Sequence, residues 1–327
     1  MRSIAPLRRL YNPILFQGRM QARRYFEGWY FKHVSKKGGE TLAVIPGVSF
    51  SDRGSRAFVQ IIDGATGRSR WFPFPLSDFS ADRHGFGISI GANRFSLEGI
   101  ELHLEDSAGR VEAKLGYHDS VPLPPRPFWP NIMGPYSFAP FMECYHAVGS
   151  LDHRVEGSAE LDATRIDFSG GSGYMEKDWG RSMPSAWIWA QSNTFPTSGD
   201  SFLFSLARVP WLGSSFPGFF ALLRSGGVIR RFATYTGASL KSLSLEGRSL
   251  AVEIEDRRYS LRLRGSRSHE GSLLAPVNGA MDRRIGESID AELELRLETR
   301  DGAPVFEGRG RDAGLEVVGD IGTLAPN

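Results

Sequence analysis

One cysteine, Cys144, stands in 327 residues, so the chain builds no internal disulfide framework. The seven histidines include no pair at HxH or HxxxH spacing, and no Cys/His grouping has zinc-site spacing. No apolar run approaches the ~18 residues that a membrane-spanning helix needs. Charge of one sign is lacking too. The 39 lysines and arginines against 37 aspartates and glutamates leave +2, too balanced for nucleic-acid binding by bulk electrostatics. Helix-period stretches of useful length are scarce. The segments Gly85–Gly91 and Gly308–Gly314 read GxGxxxG rather than the dinucleotide-binding spacing, and no GxSxG nucleophile elbow occurs. Residues 1–24 are basic, but Pro6, Arg8 and Arg9 break their apolar content and make a poor secretory signal. A cytoplasmic protein is expected, with peripheral membrane contact through Leu10, Ile14, Leu15 and Phe16 left open.

What is present is turn chemistry and aromatic bulk: 38 glycines, 19 prolines, 22 phenylalanines and seven tryptophans. Many short apolar runs end in turn residues, which favours a β protein over a helical one. Ile100, Leu102 and Leu104 alternate with Glu101, His103 and Glu105, the pattern of a half-buried strand. The segment 121–140 holds seven prolines in twenty residues, so regular structure there is not expected. It is too aromatic for a free linker and reads as an ordered loop over an opening, either lid or strap. Residues 265–289 are mixed and Gly/Ser-rich and are expected to be a loop with one helical turn.

An internal echo points to two domains. Gly28–Phe31, Gly39–Val44 and Ala57–Ile62 parallel Ala186–Trp189, Gly199–Phe204 and Gly218–Leu223. Copies of about 160 residues suit eight-to-ten-stranded antiparallel barrels, whose interiors hold one small ligand. The expected fold is therefore all-β, with tandem antiparallel β-barrel domains over residues 1–170 and 171–327.

Chemistry concentrates at Gly173–Asn193, GYMEKDWGRSMPSAWIWAQSN. In an extended chain Tyr174, Glu176 and Asp178 share one face, and Met175, Lys177 and Trp179 the other. The same rule groups Trp187, Trp189, Gln191 and Asn193. Carboxylates beside an aromatic wall suit proton transfer in a dry pocket, and they equally suit a satisfied β core or an ion-paired turn. Glu143 and His146 form a second pair, which a regular strand would point to opposite faces. Glu27 shares a face with Trp29, either as an acid or as an ion-pair partner of Arg23, Arg24 or Lys32.

These residues carry a resemblance to the tocopherol cyclase family. The matching stretches are Tyr25–Lys32, the loop from Pro130 through Pro140, Met142–Ala147, Tyr174–Gly180 and Trp187–Asn193, in the family's order. Cys144-Tyr145 stands where Cys-Asn is expected in the plant enzymes. The resemblance implies two lipocalin-like domains and kinship with carotenoid hydratases and pericyclases. It also implies redox-neutral cyclisation of a prenylated quinol to a chromanol, with no cofactor and no metal. On this reading Asp178 is the first choice of acid, with Glu176 as partner and Glu143 and His146 as second candidates. Glu27, Trp29, Tyr174, Lys177, Trp179, Trp187, Trp189, Gln191 and Asn193 would contact a hydrophobic small-molecule substrate. Hydration of an isoprenoid double bond and a non-catalytic lipid or quinone carrier are the alternatives.

Overall fold

The computed structural model describes residues 4–82, 85–140, 142–211 and 213–326; Met1 to Ser3 of the expected basic arm lie outside them. The arm contains a helix, α1 (Ile4–Tyr11), whose last turn carries Arg8 and Arg9, where cations complement the helix dipole. Among the described residues no helix is long and apolar enough to cross a membrane.

The rest is antiparallel β structure. The first sheet takes β1 (Tyr25–Val34), β2 (Thr41–Ser51), β3 (Gly54–Asp63), β4 (Arg68–Pro75), β5 (Phe79–Ala81) and β6 (Gly87–Ile90). To these it adds β7 (Asn93–Ser96), β8 (Gly99–Asp106), β9 (Gly109–His118), β10 (Cys144–Leu161), β11 (Thr164–Asp167) and β12 (Gly171–Gly180). The second sheet takes β13 (Trp187–Ser192), β14 (Ser201–Trp211), β15 (Ser214–Ser225), β16 (Val228–Ala233) and β17 (Ser239–Glu246). It ends with β18 (Ser249–Glu255), β19 (Tyr259–Ser266), β20 (Gly271–Val277), β21 (Ala280–Thr299) and β22 (Pro304–Val318). The stretch 265–289, expected to be a loop with a helical turn, is thus mostly the β20–β21 hairpin. Its turn is Asn278-Gly279, both at positive φ, the chemistry that a two-residue hairpin requires.

The first sheet runs β4-β3-β2-β1-β12-β10-β9-β8-β7-β6-β5, with β11 on β10. The second runs β16-β15-β14-β13-β22-β21-β19-β18-β17, with β20 on β21. In both, the last strand slots beside the first. The echoed segments fall on β1, β2 and β3 and on β13, β14 and β15, so the sequence repeat is a repeat of topology.

Closed barrels were expected, and among the described residues neither sheet closes by backbone pairing: no ladder joins β4 to β5 or β16 to β17. Pro73 and Pro75 deprive β4 of two ladder donors, and β5 has only three residues. The first sheet nevertheless curls round one core, because Phe72 of β4 and Phe79 of β5 share an apolar cluster with Trp29 and Phe31.

The chain forms two compact units, one of Met1–Asp63, Arg68–Met183 and Leu273–Arg284, the other of Gly64–Gly67, Pro184–Ser272 and Ile285–Asn327. The sequence divides the domains at 170/171, whereas β12 lies in the first unit, paired on one side with β1 and on the other with β10.

Candidate active site

The candidate site is built on the three neighbouring strands β1, β12 and β10 of the first unit. Cross-strand register places Glu27 opposite Trp179, Trp29 opposite Lys177, and Gly28 opposite Asp178. On the other side of β12, Tyr145 stands opposite Trp179 and His146 opposite Asp178. Directly opposed residues project from the same face of a sheet. One face therefore carries Glu27, Trp29, Lys177, Trp179 and Tyr145, and the other Tyr174, Glu176, Asp178, Cys144 and His146.

On the second face His146 bridges two carboxylates. Its Nδ1 lies 2.9 Å from Asp178 Oδ1 and its Nε2 3.2 Å from Glu176 Oε2. The Tyr174 hydroxyl donates to Glu176 Oε2 at 2.6 Å. Burial alone would lower the imidazole's proton affinity, but the charges and hydrogen bonds of Glu176 and Asp178 outweigh it and raise its pKa to about 10. His146 is thus an imidazolium at neutral pH. Burial, with the Glu176 charge, holds the Tyr174 phenol well above its usual range, so it stays a donor. The Cys144 thiol, 3.8 Å from Asp178 Oδ1, is pushed up by burial and by the Asp178 charge and is no nucleophile. Of the two carboxylates Glu176 is the more enclosed, at 6% side-chain exposure, while Asp178 keeps 25%.

His146, Glu176 and Asp178 can each offer one ligand atom within 4.8 Å of the others, close enough for a metal ion. In the observed arrangement Nδ1 is hydrogen-bonded to Asp178 and Nε2 faces Glu176, so each imidazole nitrogen is turned to a different carboxylate.

The opposite face also holds charge, in a different state. Lys177 and Glu27 form an ion pair with both side chains at 0% exposure. Lys177 Nζ donates to Pro13 O at 2.8 Å and Leu15 O at 2.6 Å, and its ammonium lies 5.0 Å from the Trp29 ring centroid and 4.7 Å from that of Trp179. Glu27 accepts from the Gln17 amide at 2.8 Å, the Gly18 amide at 2.9 Å and the Tyr25 hydroxyl. Trp29 Nε1 donates to Ile14 O at 2.8 Å. Three strand side chains thus satisfy the backbone of residues 13–18, which gives an irregular arm a fixed seat without secondary structure. Burial pushes the Lys177 ammonium down to about 8, with Glu27 opposing.

A cavity of about 610 Å³ opens where β1 and β10 begin and β12 ends. Tyr145, His146 and Trp179 line its strand side, Arg9, Pro13 and Gln17 the arm side, and Asn131, Met133 and Met142 the proline-rich connection. Tyr145 and Trp179 stack, with centroids 5.4 Å apart and planes at 11°. The volume is that of a small-molecule site.

A profile of tocopherol cyclase-like proteins matches residues 132–319, more than half of the chain. The chain belongs to the tocopherol cyclase-like family. The matched span takes in β10, β12 and the second sheet, whereas β1 and the arm precede it. Within the family, the chloroplastic tocopherol cyclase of Zea mays is 35% identical over 57 residues, 17% of this chain and only 12% of the maize protein. Solved structures share the architecture at low identity. CghA bound to Sch210972 has a TM-score of 0.55 at 12% identity, covering 90% of this chain and 89% of its own. Kievitone hydratase from Nectria haematococca gives 0.51 at 11%, covering 90% and 89%. A Nitrosomonas europaea protein assigned to AttH gives 0.51 at 15%, covering 89% and 92%. At these identities the likeness is one of fold.

Within this tocopherol cyclase-like chain the candidate residues separate into three groups. Asp178, Glu176, His146 and Tyr174 come together. Glu27, Trp29, Lys177 and Trp179 come together on the reverse face, so Lys177 is partnered by Glu27 rather than by the Glu176–Asp178 pair. Glu27 takes none of the partners that the sequence offered it: not Arg23, Arg24 or Lys32, but Lys177. Trp187, Trp189 and Gln191 are on β13 of the second unit, with Asn193 just beyond it. There Trp187 Nε1 donates to Glu316, and Gln191 Nε2 to Asn193 Oδ1 at 3.3 Å. Glu143 precedes β10 and is not one of the three grouped ligands, although burial raises its carboxyl against the charge of Arg181.

Sequence reasoning passed over Asn131. Its Oδ1 accepts from the Val148 amide at 2.8 Å and its Nδ2 donates to Val148 O at 3.1 Å, as a neighbouring strand would. The side chain serves β10 at a residue that the β9 pairing, which covers Arg154–Leu161, does not reach. The available signal was an amide side chain just after Pro130 in an otherwise apolar, proline-rich stretch.

Proposed function

We propose that this protein is an acid–base enzyme that adds a proton to the alkene of an isoprenoid-bearing substrate, in the manner of a tocopherol cyclase. The observation that carries the reading is His146 held between Asp178 and Glu176 at the wall of the cavity. Asp178, the more open carboxylate, takes a proton from the His146 imidazolium and passes it to the trisubstituted double bond nearest the ring. Glu176, fixed by Tyr174, is the anion that holds the imidazolium before the transfer. Protonation leaves a tertiary cation; the phenol oxygen closes on it and loses its own proton to Asp178, which returns it to His146. Atoms and charge balance with no oxidant or reductant. Tyr145, stacked on Trp179 and lining the same cavity as His146, offers the cation a π-face worth about 0.5–2 kcal/mol. The cavity holds the phenol over the alkene in a near-attack pose.

A second reading, hydration of the alkene, draws on the exposure of Asp178, which admits water where the phenol oxygen would otherwise attack. The test is turnover of a prenylated hydroquinone in heavy water, followed by mass spectrometry. Cyclisation gives an unchanged mass plus one solvent deuterium, and hydration adds one water. In D178N, loss of about 10²–10⁴ in rate with substrate binding kept supports the acid. Unchanged product formation by D178N sinks the assignment, and an untouched ligand from the parent protein makes it a carrier.

A further inference from the structure

The cavity bears charge of one sign. Arg9, Arg23, Arg24 and Arg181 all line it, on the arm and just beyond β12, and no carboxylate is among the described lining residues. Of the four, only Arg24 has a carboxylate at salt-bridge distance among the described residues, Asp52 at 2.7 Å. Arg181 is oriented by Asn278, its Nε donating to Oδ1 at 2.7 Å, and Arg9 by the Gln17 carbonyl at 3.5 Å. The other walls are unlike this rim. Leu10, Ala22, Met133 and Met142 are apolar, and the stacked Tyr145 and Trp179 offer flat aromatic surface. His146, charged but matched by two carboxylates, adds no net positive charge. A guanidinium rim over an aromatic and apolar cavity is complementary to one chemistry, an amphiphile with an anionic head. A neutral quinol would offer those arginines hydroxyl acceptors but no counter-charge.

We propose that the substrate of this site carries an acidic group, a carboxylate or phosphate, which the arginine rim holds while its apolar body lies against Tyr145 and Trp179. This rests on the reading of His146, Glu176 and Asp178 as the proton-handling group and narrows its substrate class. The head sets register: anchoring it on Arg9, Arg23 and Arg181 lets the chain extend toward His146. The shared chemistry has two sources, a soluble acid or an anionic lipid headgroup.

The test is equilibrium binding to the full-length protein, read by quenching of tryptophan fluorescence. The paired probes are 3-geranyl-4-hydroxybenzoate and its methyl ester, which differ by one charge. Binding of the acid about tenfold or more tighter than the ester, falling with added salt, is expected. In R23E/R181E that preference should collapse toward unity. Equal affinity for acid and ester, or a preference that survives charge reversal, overturns the proposal. Sedimentation with phosphatidylglycerol and phosphatidylcholine vesicles separates the sources. Capture by phosphatidylglycerol with displacement of the acid assigns the head to a lipid. Capture without displacement, alongside equal affinity for the two probes, makes the arginines a membrane contact and overturns the cavity assignment. Running the same titrations on D178N keeps two failures apart. An intact preference without an effect of D178N on turnover indicts the acid assignment alone, and a lost preference with D178N inactive indicts the anion alone.

Discussion

Replacing Lys177 by methionine should cost far more than the loss of one surface charge. The substitution nearly conserves volume and apolar stem, so packing against Trp29 and Trp179 changes little. It leaves the Glu27 carboxylate fully buried without its counter-ion, and it strips the carbonyls of Pro13 and Leu15 of their donor. Breaking a buried pair from one side costs about 3–5 kcal/mol, a large share of the ~5–15 kcal/mol by which a domain is stable. Glu27→Gln should cost less, because a neutral amide oxygen still accepts from the Gln17 and Gly18 amides. In the double variant K177M/E27Q no buried charge remains, so the losses should not add, and a coupling of about 2 kcal/mol or more is expected. Urea unfolding monitored by tryptophan fluorescence measures all four corners of the cycle. Trypsin cleavage at Arg19 and Arg23 should accelerate in K177M, because the arm's backbone partners are gone. A K177M protein within about 1 kcal/mol of the parent, or a coupling near zero, would refute the reasoning.

The two buried cations should also write opposite slopes into stability against pH. His146 is raised from 6.5 to about 10, so its contribution is complete below 6.5 and is lost as pH climbs toward 10. Lys177 is lowered from 10.5 to about 8, so the cost of burying its charge is present below 8 and is relieved between 8 and 10.5. Buried His33 and His153, lowered to about 4 and 3, add stability that is complete only somewhat above 6.5, so toward pH 8 His146 dominates: the parent should lose at most about 1.4 kcal/mol per pH unit while H146Q levels off. Parallel curves for the two proteins in urea titrations would remove His146 from the account. Asn131→Ala leaves the Val148 amide and carbonyl unpaired, at about 1–3 kcal/mol each, and should speed chymotrypsin cleavage within 121–140. An unchanged cleavage rate would mean that the segment is held elsewhere.

How much of this was legible in the sequence depended on the range of the interaction. Strand alternation is local, and it sorted Tyr174, Glu176 and Asp178 from Met175, Lys177 and Trp179 correctly. The echo between Trp29 and Trp187 was legible for the same reason, as a repeat of strand-and-turn punctuation. Partners across strands were not. Nothing near Lys177 announces Glu27, and nothing near His146 announces that its two nitrogens meet carboxylates from β12. The 170/171 division, drawn from the internal echo, falls at the turn that ends in Gly170, at φ 72°, and Gly171 already opens β12. The chain leaves that turn and re-enters the same sheet, a decision made by the open flanks of β1 and β10. Gly/Ser-rich composition likewise hid β20 and β21, whose pairing is set by each other rather than by propensity.

The placement of the last strand beside the first also sets an order of assembly. Phe26 pairs with Gly180, so β1 waits for about 150 residues of chain before its second neighbour exists. During synthesis its flank, rich in Tyr30, Phe31 and Val34, stays an unfilled strand edge until β12 leaves the ribosome. The second sheet repeats the delay, since Trp187 waits for Val318. Contacts of such separation slow folding. The imidazole between two carboxylates and the lysine–glutamate pair both straddle that final insertion. A chain stalled short of it has neither, so both buried charge clusters come into being only when the sheet is completed.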